Sequence, residues 1–269
     1  MRNALCFLAA ALALPLGAQW LNYPTPGVPR TADGKPNLSA PAPRTAQGKP
    51  DLSGIWEMEH NRPCPADGCA DTQASQEFLN IAWSLKDGLP YQPWALELVK
   101  SRKASLRKDD PHTHCLPPGI MELTTLPSFK KVVQTPELLV ILDEQDVTFR
   151  QIFTDGRKQL TDPSPSWMGY SVGKWERDTL VVDTVGFNDL SWLDARGHGH
   201  SEDMRVEERF HRRDFGHLEV TVTITDPKTF TRPITISFVE ELLPDTDLLE
   251  HYCLEAENDA RHQPGKAGK

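Results

Sequence analysis

The densest set of side chains able to move protons is Gly197-His-Gly-His-Ser-Glu202, followed closely by Glu207-Glu208-Arg209. His200 with Glu208 would make an acid–base pair at neutral pH, where an imidazole titrates and a nearby carboxylate can share its proton. Asp183 would assist: it interrupts the apolar run Leu180-Val-Val-Asp-Thr-Val185, and a carboxylate buried there needs a partner. The plainer reading of the same residues is a rim salt bridge from Glu207 or Glu208 to Arg209 or Arg212. His198 and His200 are two apart, so on a strand both would face one metal, but Glu202 and Glu207 miss the spacing a cupin uses. His112-Thr-His114 could complete such a site only by folding over from elsewhere. No metal and no cofactor is therefore expected. Gly169-Tyr-Ser171-Val-Gly173 has the nucleophile-elbow pattern, yet the elbow needs a helix after its serine, and here a second strand follows.

Binding chemistry is better represented. Trp167, Gly169, Ser171, Gly173 and Trp175 fall at every second position, so on a strand they share one face. Small residues leave room and tryptophans wall it, which suits a barrel lumen. The ligand-binding candidates are Trp167, Tyr170, Ser171 and Trp175, with Trp192 in a loop over the opening. Arg150, on the side of Ile152, would orient an anionic or carbonyl group, or else pair with Asp183 or Glu240.

These residues need strands to carry them. From Cys115 onward the apolar pattern is two-fold, with candidate strands at 129–134, 138–143, 147–153, 168–174, 179–186, 204–212, 218–225, 232–240 and 248–253. With the strand at Trp56 that predicts an all-β, antiparallel barrel of about eight to ten strands, a two-sheet sandwich being the alternative. Residues 72–109 read as a two-helix insertion, through Phe78, Ile81, Ala82 and Leu85, then Trp94, Leu96, Leu98 and Val99. Residues 1–18 read as a signal peptide and 19–52 as a flexible Pro/Gly-rich leader. Residues 53–256 form one barrel domain and 257–269 a disordered tail. The leader holds a duplication: Pro29-Arg-Thr-Ala-Asp-Gly-Lys-Pro-Asn-Leu-Ser39 recurs from Pro43 to Ser53.

The signal peptide predicts a periplasmic or secreted protein, and an oxidising compartment favours disulfides among Cys64, Cys69, Cys115 and Cys253 over zinc. Cys64 and Cys69 bracket a turn and could close locally, which would pair Cys115 with Cys253. A net charge of −9 argues against nucleic acid and anionic lipid as partners, and after the signal no stretch is apolar enough for stable membrane insertion.

Several longer segments carry a resemblance. They are Gly54-x-Trp56, Cys115-Leu-Pro-Pro-Gly119, Asp155-Gly-Arg157, Trp167-x-Gly-x-Ser-x-Gly-x-Trp175 and Asp178-Thr-Leu-Val-Val-Asp-Thr-x-Gly-Phe187. To these add Gly34-Lys-Pro-Asn-Leu-Ser39, His200-Ser-Glu202, Glu208-Arg209 and Asp226-Pro227. Over residues 50–255 the chain resembles a widespread, uncharacterised family of secreted bacterial proteins with a lipocalin-like barrel. The resemblance implies that fold and export, and brings no activity, cofactor or catalytic residue. Arg177 stands where the family's hairpin would carry glycine.

The leading expectation is an exported β-barrel that holds a small, partly apolar ligand. The alternatives are a barrel enzyme (isomerase, hydratase or lyase) using His200 and Glu208, and an envelope structural or interaction module.

Overall fold

The computed structural model describes residues 24–59, 81–82, 85, 87–126 and 128–253. The signal peptide, Cys64, Cys69, Phe78 and the C-terminal tail lie outside the described residues.

Alternation builds the strands. In His217–Thr225, for example, Leu218, Val220, Val222 and Ile224 are buried while the residues between them face out. Nine such strands follow in order: β1 (Gly54–Met58), β2 (Lys130–Gln134), β3 (Leu138–Asp143), β4 (Phe149–Phe153), β5 (Tyr170–Glu176), β6 (Thr179–Val185), β7 (Arg205–Arg212), β8 (His217–Thr225) and β9 (Ile234–Leu242). Because β1 pairs with both β2 and β9, the sheet closes into a barrel. The expected tenth strand at 248–253 has no edge left to join, and only an isolated bridge from Gln145 to His251 marks it. One neighbouring pair is parallel. β4 and β5 run the same way and share just two residue pairs, Ile152 with Ser171 and Phe153 with Val172. A parallel pair needs a crossover of about a dozen residues or more, and residues 154–169 supply it.

The two ends of the barrel are closed differently. At one end lie the turns at 135–137, 177–178 and 213–216, and across them runs the segment expected to be a flexible leader. That expectation is corrected: residues 24–53 form a strap. Each copy of the duplicated sequence closes a small turn, bridged between Arg30 and Pro36 and between Arg44 and Pro50. Each then uses its arginine to reach the barrel, Arg30 to Asp245 and Arg44 to Asp178, both at 2.7 Å. Leu52, from the second copy, is buried in the barrel core.

Arg212 ties strap to barrel. Its guanidinium is buried and donates to the carbonyls of Asp51, Ser53, Asp214 and Phe215, between the rings of Trp56 and Phe215. Arg212→Met keeps the apolar stem but strands those carbonyls, so it should cost about 3 kcal/mol and expose 24–53 to proteolysis. Unchanged stability and an intact strap would show that the clamp is not needed.

The opposite end is covered by the insertion. Helix α1 (Pro93–Ala104) starts with proline at its first position, where the missing N–H costs nothing. Its apolar face is not the one expected. Trp94, Leu96 and Leu98 are exposed and only Ala95 is buried, because spacing by twos does not make one face of a helix. Of the other expected helix, Ile81 and Ala82 are buried in a turn. A second helix that the two-fold pattern gave no sign of, α2 (Ile120–Thr125), lies across the barrel mouth. Cys115, just before it, is disulfide-bonded to Cys253, across a sequence separation of 138. Among the described residues no helix is long and apolar enough to cross a membrane.

Candidate functional site: a charged band inside the barrel

Inward positions on the strands are apolar except for a belt of charge. Lys130 precedes Val132 on the inner face of β2, Asp143 follows Ile141 on β3, and Glu240 follows Phe238 on β9. Arg150 on β4 and Glu208 on β7 complete the belt, and all five are at least nine-tenths buried. Such charges persist only when paired. Lys130 Nζ lies 2.7 Å from Glu240 Oε1. Arg150 forms a two-pronged pair with Glu208, donating from Nη1 to Oε1 at 2.9 Å and from Nη2 to Oε2. Its Nε donates to Ser171 Oγ at 3.0 Å and Nη2 also to Thr184 Oγ1 at 2.9 Å. The polar wall thus runs from β4 through β5 and β6 to β7.

Burial by itself would lower the Lys130 ammonium, but Glu240 and Asp143 outweigh it and hold its pKa above the ordinary value. Asp143 goes the other way for a carboxyl: burial pushes it up to about 6, partly offset by Lys130 and by the backbone N–H of Gln145. Lys130 gives its ion pair to Glu240, so Asp143 has no ion pair of its own among the described residues.

Between these groups lies a cavity of about 50 Å³, counted as the space open to the centre of a water-sized sphere. One water needs roughly 10–15 Å³ on that measure, so the space suits a few waters or one short group. Apolar walls come from Leu139, Ile141, Phe210, Leu218, Val220 and Phe238. Leu52 of the strap and Ile120, Leu123 and Thr124 of α2 also line it, so the cavity lies between the two covers. Thr148, Phe149 and Met168 flank it beside the short β4–β5 seam, and Phe149 is 60% exposed, which places the opening there. A wider groove of about 460 Å³ lies outside the barrel, beneath residues 25–28 of the strap. Its buried cation, Arg212, is already committed to four carbonyls.

The expected site residues divide. Arg150, Ser171 and Glu208 do come together inside the barrel, but Arg150 is bonded to Glu208 rather than free for an anion. Neither of its expected partners is the right one: Asp183 points outward, paired with Arg205 at 2.5 Å, because residue 183 falls on the outer face of β6. His200 does not meet Glu208. It sits in the 186–204 loop, with Nε2 2.9 Å from Ser191 Oγ and Nδ1 3.1 Å from the carbonyl of Ser201, and burial lowers its pKa. The expected acid–base pair therefore has no shared point to act on.

The tryptophan face is shorter than the sequence implied. Gly169 has φ +61°, which ends the extended backbone before Trp167, and β5 begins at Tyr170. Gly173 does not leave a void: a Cβ there would lie 3.0 Å from Ile152 and 3.1 Å from Leu180, so its smallness lets those two side chains meet. Trp175 is half-buried, with Lys49 of the strap 5.9 Å over its ring, and does not line the cavity. Trp167 is also half-buried and outside the lining, which takes Met168 instead. Tyr170 faces outward, accepting a hydrogen bond from Arg157 beside Phe153. Trp192 is buried in the mouth cover under the Arg102 guanidinium, 4.6 Å from its ring.

The two His-x-His pairs do not converge. His112 contacts Asp146 and Gln145, His114 the carbonyl of Lys108, and His198 the buried Asp194 at 2.7 Å. Among the described residues no three acidic, histidine or cysteine side chains are placed to hold a metal. In the same region Glu122 of α2 is 1% exposed, and among the described residues neither of its oxygens has a hydrogen-bond partner. Burial, with Asp110, Asp194 and Asp146 nearby, pushes it up to about 8.

Sequence reasoning missed Lys130, Asp143 and Phe149 as cavity residues and named Glu240 only as a partner for Arg150. The signal for the three charged residues was a charge standing at an inward position of an alternating strand. In Lys130-Lys131 and Glu240-Glu241 the alternation alone does not say which neighbour turns in. The chain matches no protein-family model and is similar to no curated protein.

Proposed function

We propose that this protein is an exported container for a small, partly apolar molecule, or for the end of a longer one, taken in beneath α2. One observation carries the reading: a closed barrel encloses a space with apolar walls and a charged band, opening beside an exposed phenylalanine. Apolar enclosure with a few convergent polar groups is the usual form of a ligand site. Export rests on the signal-peptide pattern of residues 1–18 and agrees with the disulfide between Cys115 and Cys253.

Native mass spectrometry of protein purified from its own source tests the reading. A mass increment should accompany the wild type and be absent from Leu139→Trp, which fills the lumen while remaining folded by circular dichroism. The narrowness of the cavity supports a second reading, a filled structural barrel, and that reading takes over if neither protein carries an increment.

A further inference from the structure

The charges lining the cavity do not balance. Lys130 and Arg150 face Asp143, Glu208 and Glu240. Two ion pairs use both cations and leave the Asp143 carboxylate, 5% exposed, with no ion pair of its own among the described residues, held by the Gln145 backbone N–H and flanked by the Ser128 hydroxyl. A buried carboxylate that shares its one nearby ammonium with another carboxylate is costly, and a ligand that brings a cation of its own relieves the cost.

Resting on the container reading, we propose that the molecule taken up carries a cationic head, an alkylammonium or similar protonated amine, seated against Asp143. Its apolar part would lie along Ile141, Leu139, Val220 and Phe238. The placement fits an ammonium. Asp143 ends β3 beside Thr148 and Phe149, close to the opening, so the head need not pass the apolar walls. The hydroxyls of Thr124 and Thr148 already donate, to the carbonyls of Ile120 and Gln145, so each oxygen is left as an acceptor for a second ammonium proton. An anionic head would instead add a fourth negative group beside three. Arg150, the one residue expected to welcome it, is neutralised by Glu208.

The charged groups around Asp143 are Lys130 on β2, which lowers its pKa, and Glu144 in the following turn, which raises it. Burial is the larger influence and places Asp143 at about 6, so it is ionised at neutral pH and neutral in mild acid.

Calorimetric titration with n-butylamine, 1-butanol and butyrate tests the proposal at about pH 7.5, where the amine is charged. Butylamine should bind at least about tenfold more tightly than butanol, and butyrate more weakly than butanol. In Asp143→Asn the ratio of amine to alcohol affinity should fall to near unity. The wild type at about pH 4.5 should lose the same ratio, a readout that does not depend on the variant folding. Butyrate binding as well as butylamine, or an amine preference that survives in Asp143→Asn and in acid, would overturn the inference. Butanol binding with no amine preference removes this inference alone, whereas failure of all three to bind removes the container reading with it.

Discussion

Arg150→Met should destabilise the protein by about 3–5 kcal/mol, because it leaves Glu208 as a buried charge with no partner. The carboxylate of Glu208 takes both prongs of the guanidinium in the lumen wall, and Ser171 and Thr184 hold the remaining donors. Ser171 and Thr184 are shut away from bulk solvent, and Glu208 meets only the small cavity, when the arginine is lost. The double variant Arg150→Met/Glu208→Leu removes both charges and should recover most of the loss, since replacing a whole buried pair by apolar groups is often close to neutral. Urea unfolding of the wild type, both single variants and the double variant measures the coupling. If the losses simply add, the two residues do not share a buried pair, and the charged band described above is not there.

Stability should also fall as pH rises from about 4.5 to 8, and Glu122→Leu should flatten that fall. The sign follows from linkage. Glu122 holds its proton to about pH 8 when folded but releases it near its ordinary value of 4.5 when unfolded. Between those values the unfolded state binds fewer protons, so raising the pH favours unfolding, on the order of 1.4 kcal/mol per pH unit. The contribution is fully present below the unfolded value and gone above the folded one. Asp143, raised to about 6, acts in the same direction over a lower range. The difference between wild type and Glu122→Leu between about pH 6 and 8 therefore isolates Glu122. Equal pH profiles for the two proteins, measured by thermal unfolding, would mean that its carboxyl finds water or a partner. Glu122 shares α2 with Ile120, Leu123 and Thr124, which line the cavity, so the same titration bears on how firmly the mouth is covered.

What the sequence made legible was whatever repeats locally. Two-residue alternation located β2 to β9, since Val132, Ile152, Val182 or Val222 declares its face against its own neighbours, while β1 showed only as the run Gly54-Ile-Trp56. Arg150 and Ser171 were legible as inward residues for the same reason, whereas Glu208 read as a partner for His200 at the rim. What was hidden depends on contacts between distant segments. The strap reads as a flexible leader because its order comes from Arg30 with Asp245, Arg44 with Asp178 and Arg212 with Asp51, none of which shows in local composition. His200 and Glu208 looked adjacent because they stand only eight positions apart in sequence, yet the loop folds one into the cover while the strand turns the other into the lumen. Asp183 and Asp143 show the reverse error: the first stands within an apolar strand and the second ends one, and the closed sheet turns the first out and the second in.

The most direct test of the container is methyl NMR of protein labelled at isoleucine, leucine and valine, titrated with 1-butanol. The account predicts shifts confined to the methyls that line the cavity, those of Leu123, Leu139, Ile141, Leu218 and Val220 among them, with Val133 and Leu190 on the outside unmoved. Lumen methyls that stay fixed while outer ones shift would contradict it, and would make the barrel a filled scaffold whose ligand, if it has one, binds elsewhere.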